Sequence, residues 1–267
     1  MRINTNIDAL RAALNMQRHG DAIAKSMQRL SSGLRINSAA DDAAGLAIAD
    51  RMTAQLRGMR AARSNISDGA SMAQVADGAL ASVMESYQRI RELAVQAASD
   101  TYSPGDRMAM QLEASALLLE IKRIAEDTNF NGIRLLDGGA VIQLQLGADD
   151  GDTLPLAVPA VWSQEAGDIS LLNHASATAA LQQLDARMAG IANMRGMLGA
   201  AQNRLGYAAS HSLMMEENLA AARSRIMDVD YAAETARLAR HQILQQAAIA
   251  MLTQATAAPR LVLQLLR

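Results

Sequence analysis

The four prolines of this chain fall at positions 104, 155, 159 and 259, so residues 1–103 and 160–258 contain none. Proline removes a backbone donor and clashes with the preceding turn of a helix. Two proline-free stretches of about a hundred residues therefore permit two sets of long, unbroken helices around a different kind of centre. The hydrophobic spacing agrees. Stepping by seven from Met52 gives Met59, Ile66, Ala73, Leu80, Tyr87 and Ala94. The same step from Leu184 gives Ile191, Leu198, Leu205, Ser212, Leu219 and Ile226, with the serine as the one exception. A seam held in one phase that long belongs to helices that wrap a partner as a coiled coil. Each spans roughly 65 Å at about 1.5 Å per residue.

Composition points the same way. Half of the chain is hydrophobic, yet its aromatics are only Trp162, Phe130, Tyr87, Tyr102, Tyr207 and Tyr231. Ala, Leu, Ile and Met make up the apolar mass, a mixture that suits helices packed side by side rather than a pocketed globular core. The expected fold is mainly α: a long antiparallel coiled-coil rod with a small β-hairpin region.

The termini carry seams of their own. Ile3, Ile7, Leu10 and Leu14 step by four, three and four, and Ile23, Met27, Leu30 and Leu34 repeat the spacing in a shifted phase. Leu244, Ala248, Met251, Ala255, Ala258, Val262 and Leu265 alternate four and three. Two such segments could pair as a small coiled coil, with the alanines allowing close approach. Within "NSAADDAAGL" (37–46) and "RIMDVDY" (225–231) the seams lose phase. Asn, Ser, Asp and Gly compete with helix there, which predicts joints between a terminal pair and the longer helices.

In the centre, Ser103-Pro104-Gly105-Asp106 is a helix start with a cap, a first-position proline and an acid. It predicts a helix to about Thr128 with Met108, Leu112 and Leu119 on one face. "NFNG" (129–132) and "DGG" (137–139) are turn sequences. "VIQLQLGADDGDTLPLAV" alternates polar and apolar on both sides of a turn and reads as a hairpin. Pro155 places its second strand at an edge. Residues 159–177 show no clear pattern.

Little in the chain points to reaction chemistry. Net charge is −2 without a basic run, which disfavours nucleic-acid binding. No apolar run approaches the roughly 18 residues that a membrane helix needs. There is no cysteine, hence no disulfide or thiolate metal site. His19, His174, His211 and His241 are scattered along the sequence, and phosphate-binding glycine motifs are missing. Asp149-Asp150-Gly151-Asp152 lacks the alternating ligands of a calcium loop and reads as an acidic turn. Asp41-Asp42 and Glu216-Glu217 are adjacent in sequence, so on a helix they point about 100° apart and do not converge. No catalytic residue, metal ligand or cofactor is expected. The N-terminus lacks a signal peptide's continuous apolar region, which by itself suggests a cytosolic protein.

Several motifs resemble bacterial flagellin. They are "INTNIDAL", "RLSSGLRINSAADDAAGLAIADRM" (29–52), "QRIRELAVQAASDT" (88–101), "NFNGIRLL", "QLQLGADDGDT", "AARSRIMDVDYAAETARLARHQILQQAAIAML" and the closing "LVLQLLR". In order, they cover nearly the whole chain. The resemblance implies a structural subunit of the flagellar filament: a homopolymer serving swimming motility, with paired termini forming the inner core (D0) and the longer helices and hairpin a surrounding shell (D1). The corresponding divisions here are 1–43 and 44–177 in the N-terminal half, and 178–227 and 228–267 in the C-terminal half. Only about 20 residues separate the hairpin from the second set of helices, so this resembles a short form without the family's variable outer domains. The implied core interface comprises Ile3, Ile7, Leu10, Leu14, Leu30, Leu34, Leu244, Met251, Val262, Leu265 and Leu266.

The resemblance also implies unfolded export by the flagellar type III route, which would place the protein outside the cell without a signal peptide. Implied partners are the filament cap, the hook-junction proteins and a cytosolic export chaperone at the C-terminal segment. The Toll-like flagellin receptor of hosts is a further one, through Arg89, Leu93 and Glu113; Leu117 stands where the family commonly has Arg. Membrane insertion is not implied. A hook–filament junction protein and a flagellin-like surface binding protein are the alternatives. The unbroken "SSGLRINSAADDAAG" and "ILQQA" favour flagellin over the first, and Trp162 as the lone central indole disfavours the second.

Overall fold

The computed structural model describes residues 5–137, 141–157 and 169–265, with side chains as far as 257. Ile3, Gly138-Gly139, Trp162 and Leu266 lie outside the described residues, as do the side chains of Ala258, Val262 and Leu265. The expected mainly-α fold is present. Helices α1 (Ile7–Ser32), α2 (Ala43–Ala97) and α3 (Pro104–Asp127) come first. Four short strands follow, β1 (Asn129–Phe130), β2 (Ile133–Arg134), β3 (Val141–Gln145) and β4 (Thr153–Ala157), then helices α4 (His174–Met227) and α5 (Tyr231–Leu265).

Short polar side chains start the helices. Asn6 accepts from the Ala9 amide at 3.0 Å, and Asp42 from Gly45 at 2.8 Å. Asn173 accepts from Ser176 at 2.7 Å, and Asp230 from Ala232 and Ala233 at 3.0 and 3.1 Å. Each satisfies amides that have no partner within the first turn. The predicted start of α3 is a full capping box: the Asp106 amide donates to Ser103 Oγ at 3.3 Å, and the Ser103 amide to the Asp106 carboxylate at 3.0 Å. Gly33, with φ 72°, closes α1 in the left-handed conformation, its amide reaching the Arg29 carbonyl at 2.9 Å.

Both central hairpins form. β1 and β2 pair antiparallel around Asn131 (φ 50°) and Gly132 (φ 80°), the Asn-Gly turn that a tight hairpin needs. β3 and β4 pair from Val141↔Ala157 to Gln145↔Thr153. Leu154 and Leu156 are buried while Thr153, Pro155 and Ala157 are exposed, the alternation read from the sequence. In a two-stranded ribbon the missing amide of Pro155 breaks no further ladder.

The chain divides into two compact units, residues 1–54 with 217–267 and residues 55–216. In the second unit the long seams are the core. Ile66, Ala73, Leu80, Tyr87 and Ala94 from α2, and Leu184, Ile191, Leu198 and Leu205 from α4, are all buried, joined by Ile121 of α3 and Leu135, Leu136, Leu154 and Leu156 around the hairpins. The two helices run antiparallel, cross-linked by Arg195–Asp77 and Arg91–Asp185, each 2.7 Å, and by the His174 ring on the Ala98 carbonyl. The hairpin sits close on α2, where a Cβ added at Gly58 would lie 2.7 Å from that of Ala148.

The expected apolar stripe on α3 turns out to face outward. Met108, Leu112 and Leu119 are 54, 67 and 68 % exposed, whereas Ala114, Ile121 and Ala125 form the buried face. Both stripes have helical spacing. The inward face combines Ile121 with alanines, and Met110, Leu117, Leu118 and Ile124 pack partly buried on the same core.

Candidate assembly interface

In the first unit α1 and α5 pair antiparallel, as the matched terminal seams suggest, but only partly through those seams. The register is set by contacts whose residue numbers sum to nearly one value: Asn6 donates to the Ala255 carbonyl at 2.7 Å, His19 meets His241, and Ser26 donates to Glu234 at 2.7 Å. Ala12 and Ala248, both buried, take the same register. Two heptad rows thus meet: Ala12, His19 and Ser26 on α1, and Glu234, His241, Ala248 and Ala255 on α5. Small and polar side chains let the helices approach closely. Glu234 is 3 % exposed, and Arg29 and Arg237 also reach its carboxylate, at 3.8 and 3.1 Å. Burial opposes its charge. The hydrogen bonds from Ser26 and Arg237 and the positive charge of Arg29 outweigh that and hold the carboxyl below its ordinary value.

The joint is held by backbone. Gly33 accepts from the Val229 amide at 3.0 Å, the Arg35 amide donates to Met227, and the Arg35 guanidinium donates to the Ile226 carbonyl at 2.6 Å. Leu34 bridges Asp228 and packs, with Leu46 and Ile226, on a small cluster of Ile36, Ala49 and Met227.

This arrangement leaves the aliphatic seams uncovered. Ile7, Leu10 and Leu14 are 43, 60 and 48 % exposed, and Leu244 and Met251 40 and 65 %, with Ile243 and Ile249 beside them. Ala248 and Ala255 of the α5 seam, with Ile23 and Leu30 of the second α1 seam, fall on the covered face. Leu30 is half-buried, and Leu34 is already committed to the joint. The sequence reading missed Ile243 and Ile249, which lie off the four-three spacing, and the inner row of small and polar residues that alternates with the half-buried Met16, Ile23 and Leu30 on α1 and Leu238 and Leu252 on α5.

The residues assigned to receptor contact separate. Arg89 and Glu113 lie on the surface of the second unit, 2.8 Å apart, with Glu92 also on the Arg89 guanidinium at 2.9 Å. Leu93 is 2 % exposed and belongs to the core of that unit. A leucine four residues after Arg89 falls on the inner face because the α2 stripe runs through Ile90, Leu93 and Ala94. Leu117 is half-buried against the same core. Among the described residues no group of three or more His, Asp or Glu could hold a metal ion, and no helix is long and apolar enough to cross a membrane.

The description "Bacterial flagellin N-terminal helical region" matches residues 3–140, and "Bacterial flagellin C-terminal helical region" matches residues 181–266. The chain belongs to the bacterial flagellin family. It is 43 % identical over the full length of both proteins to a flagellin of Halalkalibacterium halodurans. To the flagellar filament 33 kDa core protein of Treponema phagedenis it is 41 % identical, again over both full lengths. Among solved structures, Bacillus cereus flagellin superposes with a TM-score of 0.52 at 32 % identity, covering 56 % of this chain and 88 % of that one. Membership in the flagellin family carries the function: this is a structural filament subunit, not an enzyme.

Proposed function

We propose that the chain forms a helical homopolymer by burying the outward aliphatic faces of α1 and α5 against neighbouring copies. The observation that carries this reading is the division of labour on α1. Its inner row of Ala12, His19 and Ser26 meets α5, while Ile7, Leu10 and Leu14 point elsewhere. The face toward α5 already has its own half-buried aliphatics, Met16, Ile23 and Leu30, so Ile7, Leu10 and Leu14 form a second apolar face, the usual mark of a protein–protein interface. Head-to-tail contacts that do not close on themselves then propagate a filament.

In this reading residues 1–43 and 228–267 make the filament core, and residues 44–177 with 178–227 the surrounding shell. Ile3, Val262, Leu265 and Leu266 extend the same interface. The filament is extracellular, reached by unfolded type III export with a chaperone on the C-terminal segment. The cap and hook-junction proteins meet the filament ends. A Toll-like receptor would find the Arg89–Glu113 pair at the surface, with Leu93 supporting the helix from beneath.

Seeded polymerisation of purified protein tests the core assignment. Removing Leu261–Arg267 should stop or strongly slow elongation onto preformed seeds, while the 55–216 unit keeps its helical signal. Elongation at the full-length rate would sink it.

A further inference from the structure

The inner row of α1 and α5 holds one layer that packing does not account for. His19 and His241 stand opposite each other at the same heptad position, both half-buried, with Nδ1 to Nδ1 3.4 Å and ring centroids 5.6 Å apart. On either side of this layer Met16 and Ile23 of α1 and Leu238 and Gln245 of α5 are half-buried, and beyond these Ser26 donates to Glu234 and Ala12 and Ala248 are buried. As a hydrogen bond between two imidazoles 3.4 Å is long, beyond the usual range of about 2.7–3.2 Å. It matches a different geometry. An ion about 2.05 Å from each of two imidazole nitrogens, at a tetrahedral angle, holds them roughly 3.3 Å apart. The other two histidines offer nothing comparable: His174 sits on the Ala98 carbonyl and His211 is exposed.

We propose that His19 and His241 form a two-imidazole site for a divalent d-block ion of the zinc, copper or nickel class, clipping α1 to α5. Imidazole nitrogen suits these ions, whereas magnesium and calcium prefer oxygen. Water completes the coordination. Gln245 stands one turn beyond His241, its amide nitrogen 3.5 Å from where a Cβ on Gly20, next to His19, would lie. Because the ligands come from opposite ends of the chain, the site exists only where the terminal helices are paired. By mass action an ion at about ten times its dissociation constant then favours the paired state about elevenfold. The ion would order the terminal pair, a role separate from the apolar contacts between copies.

The test is equilibrium dialysis of the full-length polymer against zinc chloride, with bound zinc counted per chain after sedimentation. Saturable binding of one zinc per chain is expected. It should weaken by about tenfold or more in His19→Asn and in His241→Asn, stay unchanged in the His174→Asn/His211→Asn double variant, and not be displaced by magnesium. No retention at millimolar zinc, equal retention in the His19 and His241 variants, or loss in the double variant would overturn the proposal. Should either variant fail to polymerise, copper(II) electron paramagnetic resonance on the wild-type polymer decides: two coordinated imidazole nitrogens support the site, and one or none refutes it.

Discussion

Replacing Leu10, Leu14 and Met251 together by Gln separates the interface between copies from the fold of one copy. Gln has nearly the helix propensity of Leu and Met, so α1 and α5 lose no intrinsic helicity. The three side chains are 60, 48 and 65 % exposed in the single chain, so most of their burial remains to be gained from neighbours. Complete burial of such a side chain is worth about 1.5–3 kcal/mol, and the exposed share of each is therefore worth about 1–2 kcal/mol. Ordering the side chains at a new interface takes back roughly 0.5 kcal/mol apiece. About 3 kcal/mol per subunit remains, which corresponds to a roughly hundredfold rise in critical concentration. The assay measures the protein left in solution after seeded polymerisation reaches its plateau, alongside far-ultraviolet circular dichroism of the soluble chain. A critical concentration within about threefold of wild type, with helix content unchanged, would refute the burial argument, since about 3 kcal/mol cannot vanish in that range.

Acidification addresses Glu234. Its carboxyl is held below its ordinary value in the folded chain, so its contribution is fully present above the unfolded value near ~4.3 and is lost as pH falls through the lower folded value. Hydrogen exchange of the α5 amides should accelerate below about pH 4 for this reason, and Glu234→Gln should flatten that acid limb. Glycine substitutions on the long helices should divide by local space. Gly206→Ala, with nothing within 4 Å of the new methyl, is expected to stabilise by about 0.5–1 kcal/mol in a thermal melt. Gly58→Ala would press against Ala148, and equal stabilisation there would show that the hairpin yields freely. Ser103→Ala removes one side of the capping box of α3 and should cost about 1 kcal/mol by the same melt.

Much of the second unit was legible in the sequence. Of the seven-residue steps from Met52 to Ala94 and from Leu184 to Ile226, those from Ile66 to Ala94 and from Leu184 to Ser212 end up buried and Met52, Met59, Leu219 and Ile226 half-buried, because a long helix can keep one phase toward its partner only if its side chains repeat at that period. The proline at 104 and the Asn-Gly at 131–132 placed a helix start and a turn by local geometry alone. The site was legible only in part. Spacing identified aliphatic stripes on α1 and α5, but periodicity specifies that a face is apolar, not what covers it.

What the sequence by itself determined is therefore where the helices run, where they are capped, and which residues share a face. Those are properties of backbone dihedrals, caps and period, all local to a segment. Only the tertiary structure decided which of two competing faces each helix turns inward. On α3 the face of Ala114, Ile121 and Ala125 won over Met108, Leu112 and Leu119, and on α1 the face of Ala12, Met16, His19, Ile23 and Ser26 won over Ile7, Leu10 and Leu14. The physical reason is that periodicity is local and packing is not. Two faces of one helix can share the same period, so the inward one is set by where the neighbouring helices lie across the chain.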